Sequence, residues 1–287
     1  MYAGCDRQAG NVLVQQHWAA PRTGVFCLFM KHTRLVLILI SLLLGLLAWQ
    51  VLVALRNYPS FILPSPLQVG QRFVQAVWDG SLLRHTVVTL AEVLSGLALG
   101  GGIATVLGYL LARSLPLERL LSPYIIASQA IPIVAIAPLL VIWFGPGMAS
   151  KVLICALIVF FPVLINTVVG VRSVPADLRD LLHSLRATRW QTLRLLEGPA
   201  ALPVFLGGLR VGATLAVIGA VVGEFVGAKS GLGFLINVGR GLYDTALVFV
   251  AVFTLVGLAL ALYGLVAWLE SRLLAWQRAP EDEMRAD

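Results

Sequence analysis

Six apolar runs separated by shorter polar stretches dominate the hydrophobic pattern of this 287-residue chain. Each run reaches about 20 predominantly apolar residues, the length that an α-helix needs to cross a bilayer core of about 30 Å. The runs cover about residues 35–55, 87–112, 124–144, 152–171, 204–228 and 246–269. The pattern therefore predicts an all-α membrane protein with six transmembrane helices.

The composition supports a membrane protein and excludes three other classes. Hydrophobic residues make up 59% of the chain and charged residues only 12%, whereas soluble domains carry about 25% charged residues. A soluble enzyme and a disordered chain are excluded, and three cysteines are too few for a disulfide scaffold. The net charge of +7 could suit nucleic acid. In a membrane protein it is typical of basic cytoplasmic loops, so we expect lipid contact and no nucleic-acid partner.

Basic residues outside the spans predict the orientation. Six spans place both termini on one side. If that side is the cytoplasm, it receives 14 Lys and Arg residues and the opposite side receives six. The positive-inside rule then predicts cytoplasmic termini.

The same pattern divides the chain into three parts. Residues 1–34 form a predicted N-terminal cytoplasmic extension, with Met30 and the basic stretch after it as an alternative start. Residues 35–269 form the membrane domain, and residues 270–287 form a predicted cytoplasmic tail.

The segment after the first span carries a second kind of pattern. Three prolines break any helix there, and five apolar residues then recur near helical spacing with polar residues between them. These apolar residues are Val69, Phe73, Val74, Val77 and Trp78. We predict an amphipathic helix at the outer membrane interface, with a simple connector as the alternative.

Three charged residues fall inside predicted spans, where a buried charge costs about 2.5–3.5 kcal/mol. Glu92 lies one turn into the second span, and Glu224 and Arg210 lie near opposite ends of the fifth. One interpretation is that all three snorkel or form fixed interhelical hydrogen bonds. The other is that Glu224, and with it Glu92, faces a translocation cavity near its outer mouth.

Glycines recur at four-residue spacing in the fifth span, including Gly219 and Gly223. Such rows allow helices to approach closely, and packing is the first interpretation, with lining of a pathway as the second. Pro132, Pro138 and Pro162 interrupt backbone hydrogen bonding in the third and fourth spans, which predicts kinks.

No catalytic, metal or cofactor site is predicted. The four histidines are scattered, with no pair at metal-ligand spacing. Residues 223–230 imitate a phosphate-binding loop, but Ala228 stands between the glycine and the lysine, and the run ends a helix instead of opening one after a strand. The chain is therefore not expected to be an enzyme.

The loop of about residues 172–203 is helix-prone, carries five arginines between Arg172 and Arg194, and is bracketed by Pro175 and Pro199. A docking surface and a solvated basic loop are equally compatible with this charge.

The order of residues in this loop resembles the coupling segment of binding-protein-dependent ABC importer permeases, Glu-Ala-Ala, three residues, Gly, nine residues, Ile-x-Leu-Pro. Asp180 stands at the Glu position, Leu181 and Leu182 at the Ala positions, and Arg186 at the Gly position. Residues 196–199 occupy the Ile-x-Leu-Pro positions and retain the proline, Pro199. If the Gly position requires a left-handed backbone, Arg186 is strained there.

The resemblance extends from about residue 63 to residue 269. Its fragments include Leu63-Pro64-Ser65-Pro66, Trp143-Phe144-Gly145 and Gly231-Leu232-Gly233, which are similar to the nitrate, sulfonate and taurine branch of the family. Residues 223–228 are closer to members that carry thiamine-precursor pyrimidines or riboflavin.

This resemblance implies the function and the partners. It implies a multi-pass permease of the bacterial inner membrane that acts as a homodimer with two ATPase subunits and an extracytoplasmic solute-binding protein. ATP and Mg²⁺ would bind to the ATPase and not to this chain. The implied coupling residues are Asp180, Leu181, Leu182, Arg186, Ala187, Trp190, Gln191 and Pro199. The alternative function is an ion- or proton-coupled secondary transporter, although no inverted repeat is visible.

Overall fold

The computed structural model describes residues 23–56 and 58–275, and every regular element in these residues is helical. This confirms the predicted all-α class. Residues 1–22 and 276–287, which belong to the predicted terminal segments, lie outside the described residues. The helices are α1 (Thr23–Arg56), α2 (Pro66–Trp78), α3 (Ser81–Arg113), α4 (Leu115–Gln129), α5 (Ile133–Phe144), α6 (Met148–Arg172), α7 (Ala176–Ser184), α8 (Arg189–Thr192), a π-helical turn (Leu193–Glu197), α9 (Gly198–Gly227), α10 (Leu232–Gly241) and α11 (Thr245–Leu273).

The chain divides into two compact units, residues 1–56 and 57–287. In the first unit, α1 contains the predicted first span. The helix begins at Thr23, so residues 23–34 of the predicted extension are helical. Residues 39–56 are long and apolar enough to cross a membrane, and none of their side chains is buried in protein. A helix that is apolar all round is typical of a membrane span.

In the second unit, α3, α6 and α11 are long and apolar enough to cross a membrane. The fifth predicted span is part of a longer helical rod, because α8, the π turn and α9 follow one another without a break over residues 189–227. The helix of the sixth predicted span is α11, and it continues to Leu273, beyond the predicted start of the tail at residue 270.

The third predicted span differs from a single straight helix. It consists of α4 and α5, which are bent by 95° relative to each other at residues 130–132. The residue before a proline is disfavoured in α-helical conformation, so Ile131 and Pro132 interrupt the helix there. Pro138 and Pro162 lie inside α5 and α6, and both helices continue through them, so the kinks expected there stay predictions.

The bent pair nevertheless crosses the bundle from end to end. At the start of α4, Glu118 accepts a hydrogen bond of 2.8 Å from Arg172 at the end of α6. In α5, Ala137 and Leu140 pack against Ile154 near the start of α6. Because the 25 residues of α6 rise about 37 Å, α4 and α5 together traverse the same thickness. With α1, the described residues therefore contain the six predicted spans.

The bundle of the second unit has two distinct ends. One end carries α7 and α8, together with the last residues of α3 and α6 and the first residues of α9, and is called the α7 end. The other carries α2 and α10 and is called the α10 end. The side chain of His85, in the second turn of α3, accepts a hydrogen bond from the Gly231 N–H just before α10 at this end.

Helix α6 lies between α3 and α9, and glycines on both neighbours allow the close contact. On α3, a Cβ at Gly100 would collide with the backbone of Ala156. On α9, a Cβ at Gly219 would lie 2.9 Å from the Cα of Cys155, and one at Gly223 would lie 3.2 Å from the Lys151 side chain. Gly219 and Gly223 therefore pack in the α6–α9 contact, as the first interpretation expects, and their tentative assignment to a translocation pathway stays a prediction.

The predicted amphipathic helix is present as α2. Ser65 and Gln68 form a capping box at its start, with Pro66 in the first turn, and this arrangement satisfies the free N–H groups of a helix end. Arg72 forms an ion pair of 2.8 Å with Asp244, at the start of α11. Val69 is buried, whereas Phe73, Val74, Val77 and Trp78 are exposed.

Candidate coupling segment and buried charge networks

Helix α7 ends in a Schellman motif, a turn in which two N–H groups beyond a helix close back onto its last carbonyls. The Arg186 N–H donates to the His183 carbonyl, and the Ala187 N–H donates to the Leu182 carbonyl, both at 3.0 Å. The residue that reverses the chain in this motif adopts a left-handed backbone and is usually glycine. Here it is Arg186, with φ at 54°. The strain expected at this position is therefore present.

Helix α8 begins with a second capping arrangement. The Thr188 N–H donates to the Gln191 side chain at 2.7 Å, and the Gln191 N–H donates to the Thr188 hydroxyl at 3.3 Å. Gln191 is exposed, but its side-chain oxygen is engaged in this cap. Its predicted contact role is therefore limited by a structural role within the loop.

The other predicted coupling residues divide into two groups. The first group is half-buried and consists of Leu182, Ala187 and Pro199. Asp180 and Arg186 are exposed, as are the apolar side chains of Leu181 and Trp190. Leu185 and Leu195 in the same segment are also exposed. Clustered exposed apolar side chains on a polar loop are typical of a protein-binding surface.

Replacement of Arg186 with Gly should stabilise this segment by about 1 kcal/mol, because glycine adopts positive φ without the steric penalty of a Cβ atom. The measurement is amide exchange of residues 180–187, which should slow in the variant. Arg186→Ala is the matched control, since it removes the charge and keeps the Cβ, and it should exchange like the parent. Equal slowing in both variants would show that charge, not backbone strain, governs this turn.

The loop also contains a buried carboxylate, which was considered above only as a position of the motif. Glu197 is fully buried at the end of the π turn. It accepts hydrogen bonds from Arg113 at 2.8 Å and from the Tyr109 hydroxyl at 3.4 Å, both on α3. The Arg179 guanidinium of α7 lies 3.7 Å from its other oxygen. The sequence does contain a signal for this site, because Glu197 is an acid directly before an apolar helix and arginines lie on neighbouring segments.

At the α10 end, Glu92 forms an ion pair with Lys151 of α6 at 2.9 Å. Only 1% of the Glu92 side chain and 6% of the Lys151 side chain are exposed. Because α3 begins at Ser81, six residues before the predicted span, Glu92 lies about 16 Å along the helix, not one turn. Lys151 was not predicted as its partner, because the two residues are 59 positions apart in the chain.

Glu224 is equally buried and holds the start of α10. It accepts hydrogen bonds from the Thr89 hydroxyl at 2.7 Å and from the Gly233 N–H. The Thr89 hydroxyl in turn accepts a hydrogen bond from the Leu232 N–H at 2.8 Å. A Cβ at Gly231, where φ is 116°, would collide with the Glu224 carboxylate.

These contacts favour the interpretation that the intramembrane acids form fixed interhelical hydrogen bonds. Glu92 and Glu224 are both 1% exposed and hydrogen-bonded between helices of one chain. In this conformation both carboxylates are packed between helices, and their assignment to a translocation pathway stays a prediction. Arg210 likewise pairs with Glu270 and lies over the Tyr263 ring, with 4.9 Å between the guanidinium and the ring centroid.

Comparisons with known proteins agree with this architecture. Residues 104–275 match the family described as "Binding-protein-dependent transport system inner membrane component". The chain is 52% identical to the riboflavin transport system permease protein RibX of Chloroflexus aurantiacus, covering 83% of this chain and 89% of that protein. It is 35% identical to the formylaminopyrimidine transport permease protein ThiX of Halalkalibacterium halodurans, covering 82% and 94%.

Two further comparisons extend the range. The taurine transport system permease protein TauC of Escherichia coli is 32% identical, covering 83% of this chain and 90% of that protein. Among solved structures, an inward-facing form of the MetNI methionine ABC transporter aligns with a TM-score of 0.61 at 19% identity, covering 69% of this chain and 98% of that chain. This last similarity concerns the fold alone.

Proposed function

The chain belongs to the family of binding-protein-dependent transport system inner membrane components, and from this premise we propose that its α7–α8 segment couples it to a separate ATPase. It is a membrane-spanning permease of the ABC importer type. The comparisons give no support to the alternative of an ion- or proton-coupled secondary transporter. The observation that carries the coupling proposal is the exposed polar and apolar surface of Asp180, Leu181 and Trp190 on a strained, capped turn.

We propose that the α7 end faces the cytoplasm, where an ATPase can reach it. Among the described residues of the second unit, this end carries eight arginines, and the α10 end carries five basic residues. The former are Arg113, Arg119, Arg172, Arg179, Arg186, Arg189, Arg194 and Arg272, and the latter are Arg72, Arg84, Lys151, Lys229 and Arg240. The positive-inside rule supports this orientation, and six spans then place both termini in the cytoplasm.

In the proposed assembly, two copies of the chain form the translocation pathway as a homodimer. Each copy contacts one ATPase subunit through α7 and α8, and a solute-binding protein delivers the substrate at the α10 end. ATP and Mg²⁺ bind to the ATPase. Closure of the ATPases draws the two α7–α8 segments together and opens the membrane helices outward, and hydrolysis resets them. A rigid-body movement of this kind is a common form of switching.

Charge reversal at Asp180 tests the docking surface. Asp180→Arg should weaken association with the ATPase at least about tenfold. The substitution removes the acid at the proposed contact and adds an arginine directly after Arg179, in a loop that is already basic. The measurement is co-purification of the ATPase with the tagged chain. Asp79→Arg, an exposed acid at the α10 end, is the matched control and should retain the ATPase. Retention of the ATPase by Asp180→Arg would refute this docking site.

We propose a flavin-type heterocycle as the substrate class. The relative named for riboflavin is more similar to this chain than those named for formylaminopyrimidine and taurine, and it matches over most of both chains. The test is uptake of radiolabelled riboflavin into liposomes that contain the chain, its ATPase and its binding protein. ATP-dependent accumulation is expected. Accumulation of taurine and not riboflavin would assign the chain to sulfonate transport.

A further inference from the structure

The deepest contact between the coupling segment and the membrane helices is made by one carboxylate. Glu197 has no exposed surface, and its partners come from α3 and α7, as described above. A buried carboxylate is expensive unless charged partners and hydrogen bonds compensate for its desolvation. Arg113 supplies both compensations at 2.8 Å. Glu197 is therefore held firmly to the end of α3.

The π turn directs Glu197 toward these partners. The Gly198 N–H donates to the carbonyl of Leu193, five residues earlier, and a Cβ at Gly198 would lie 2.9 Å from that carbonyl oxygen. Pro199 has no N–H to donate, so it cannot restore the ordinary i to i−4 bond at the next position. A π turn contains one residue more than an α-helical turn, and such turns are frequent at functional sites. Here the extra residue determines the direction in which the Glu197 side chain points from the helix axis.

The contact with α7 is looser than the contact with α3. Arg179 Nε lies 3.7 Å from Glu197 Oε1, and among the described residues neither of these two buried atoms has a hydrogen-bond partner. Arg179 Nη2 also donates to the Val171 carbonyl at the end of α6. Arg179 directly precedes Asp180 of the proposed docking surface. A small displacement of α7 therefore changes the Arg179–Glu197 separation directly.

The membrane helices have room to respond to such a displacement. A cavity of about 380 Å³ lies beside Glu197, between α3, α6 and α9. Tyr109 and Glu197 line it together with apolar side chains such as Leu110 and Phe205. Packed interiors transmit small shifts between discrete arrangements, and this cavity provides space beside Glu197 for such a shift of α3 or α9.

We propose that Glu197 is the positioning residue that transmits displacement of α7 to α3 and α9 during the transport cycle. The inference rests on the proposed function, because the displacement comes from the bound ATPase. ATP-driven movement of α7 closes the 3.7 Å gap between Arg179 and Glu197 into a hydrogen bond. Glu197 then moves the start of α9, and through Arg113 it moves the end of α3.

The experiment measures amide hydrogen exchange in the complex of the chain with its ATPase, before and after trapping with ATP and vanadate. In the parent protein, exchange should change in α7 and also in residues 109–114 of α3. In Glu197→Gln, the α7 change should persist, and the change in residues 109–114 should fall about tenfold, a typical size for coupling between sites. A purely structural role would alter exchange in both nucleotide states alike.

Two further variants make the result decisive. Arg179→Gln changes a partly exposed side chain and should show the same loss if Glu197→Gln fails to fold. Glu118→Gln is the matched control, because the ion pair of Glu118 at the same end is with Arg172 of α6 and not with Arg179 of α7, and it should respond like the parent. A normal α3 response in Glu197→Gln or in Arg179→Gln would overturn the proposal. Failure of α7 to respond in the parent complex would instead overturn the proposed docking of the ATPase.

Discussion

Lys151→Met is expected to destabilise the folded chain by about 3–5 kcal/mol, because removal of one member of a buried ion pair leaves the other charge uncompensated. Lys151 is the hydrogen-bonded cation of Glu92 at 2.9 Å, and Glu224 is a second buried carboxylate that packs on the same helices. Methionine fills a similar volume without the charge, so the loss arises from electrostatics and not from a cavity. The measurement is the free energy of unfolding in detergent, followed by tryptophan fluorescence.

Two variants separate the ion pair from a general effect of losing a lysine. Lys229→Met removes an exposed lysine at the same end, and its effect should stay within about 0.5 kcal/mol. The double variant with Glu92→Gln should recover most of the stability lost in Lys151→Met, because the stranded charge is removed. If the double variant is as unstable as Lys151→Met, the stabilisation by Lys151 does not arise from its pairing with Glu92.

Gly100→Ala is the second large effect, with an expected loss of about 3 kcal/mol from overpacking against a backbone that cannot rotate away. A Cβ at Gly100 would meet the carbonyl and Cα of Ala156, which are backbone atoms of α6. Helices α3 and α6 must then separate along their contact. The measurement is the thermal unfolding midpoint, together with the yield of monodisperse protein.

Gly102 provides a matched control two residues further along α3. A Cβ there would have nothing within 4 Å, and Ala is favoured over Gly inside a helix by roughly 0.5–1 kcal/mol. Gly102→Ala should therefore be neutral or slightly stabilising. Equal destabilisation by both substitutions would mean that the α3–α6 approach at Gly100 is not the tight contact described above.

The sequence predicted the spans because their signal is local. The length of an apolar run matches the thickness of the bilayer core, whichever helices pack beside it. Each predicted span corresponds to a helix or to the α4–α5 pair. The strain at Arg186 was also predicted, because the resemblance places this residue at the Gly position of the motif, and the structure has a Schellman turn there. The break at Pro132 was only partly predictable, since Pro138 and Pro162 have the same local chemistry and remain inside helices.

The candidate site depended on contacts that the sequence could not assign. The proposed coupling surface, with Asp180, Leu181 and Trp190, was predicted from motif order, and these side chains are exposed. The engagement of Gln191 in a cap could have been read from Thr188 three residues earlier. Glu197 was overlooked because its orientation follows from the π turn, and a one-residue change in helical register rotates a side chain by about 100°.

The sequence by itself therefore determined the class of the protein and the six crossings, since these depend on composition and on local apolar runs. It also determined the family and the expected strain at Arg186, through the order of motif residues along the chain. Only the tertiary structure decided that α6 is the helix between α3 and α9, that Glu92 pairs with Lys151, and that Glu197 joins α3 to α7. These pairings link residues distant in the chain. They depend on the rotation and tilt of each helix about its axis, which apolar side chains of similar hydrophobicity do not specify until the helices pack.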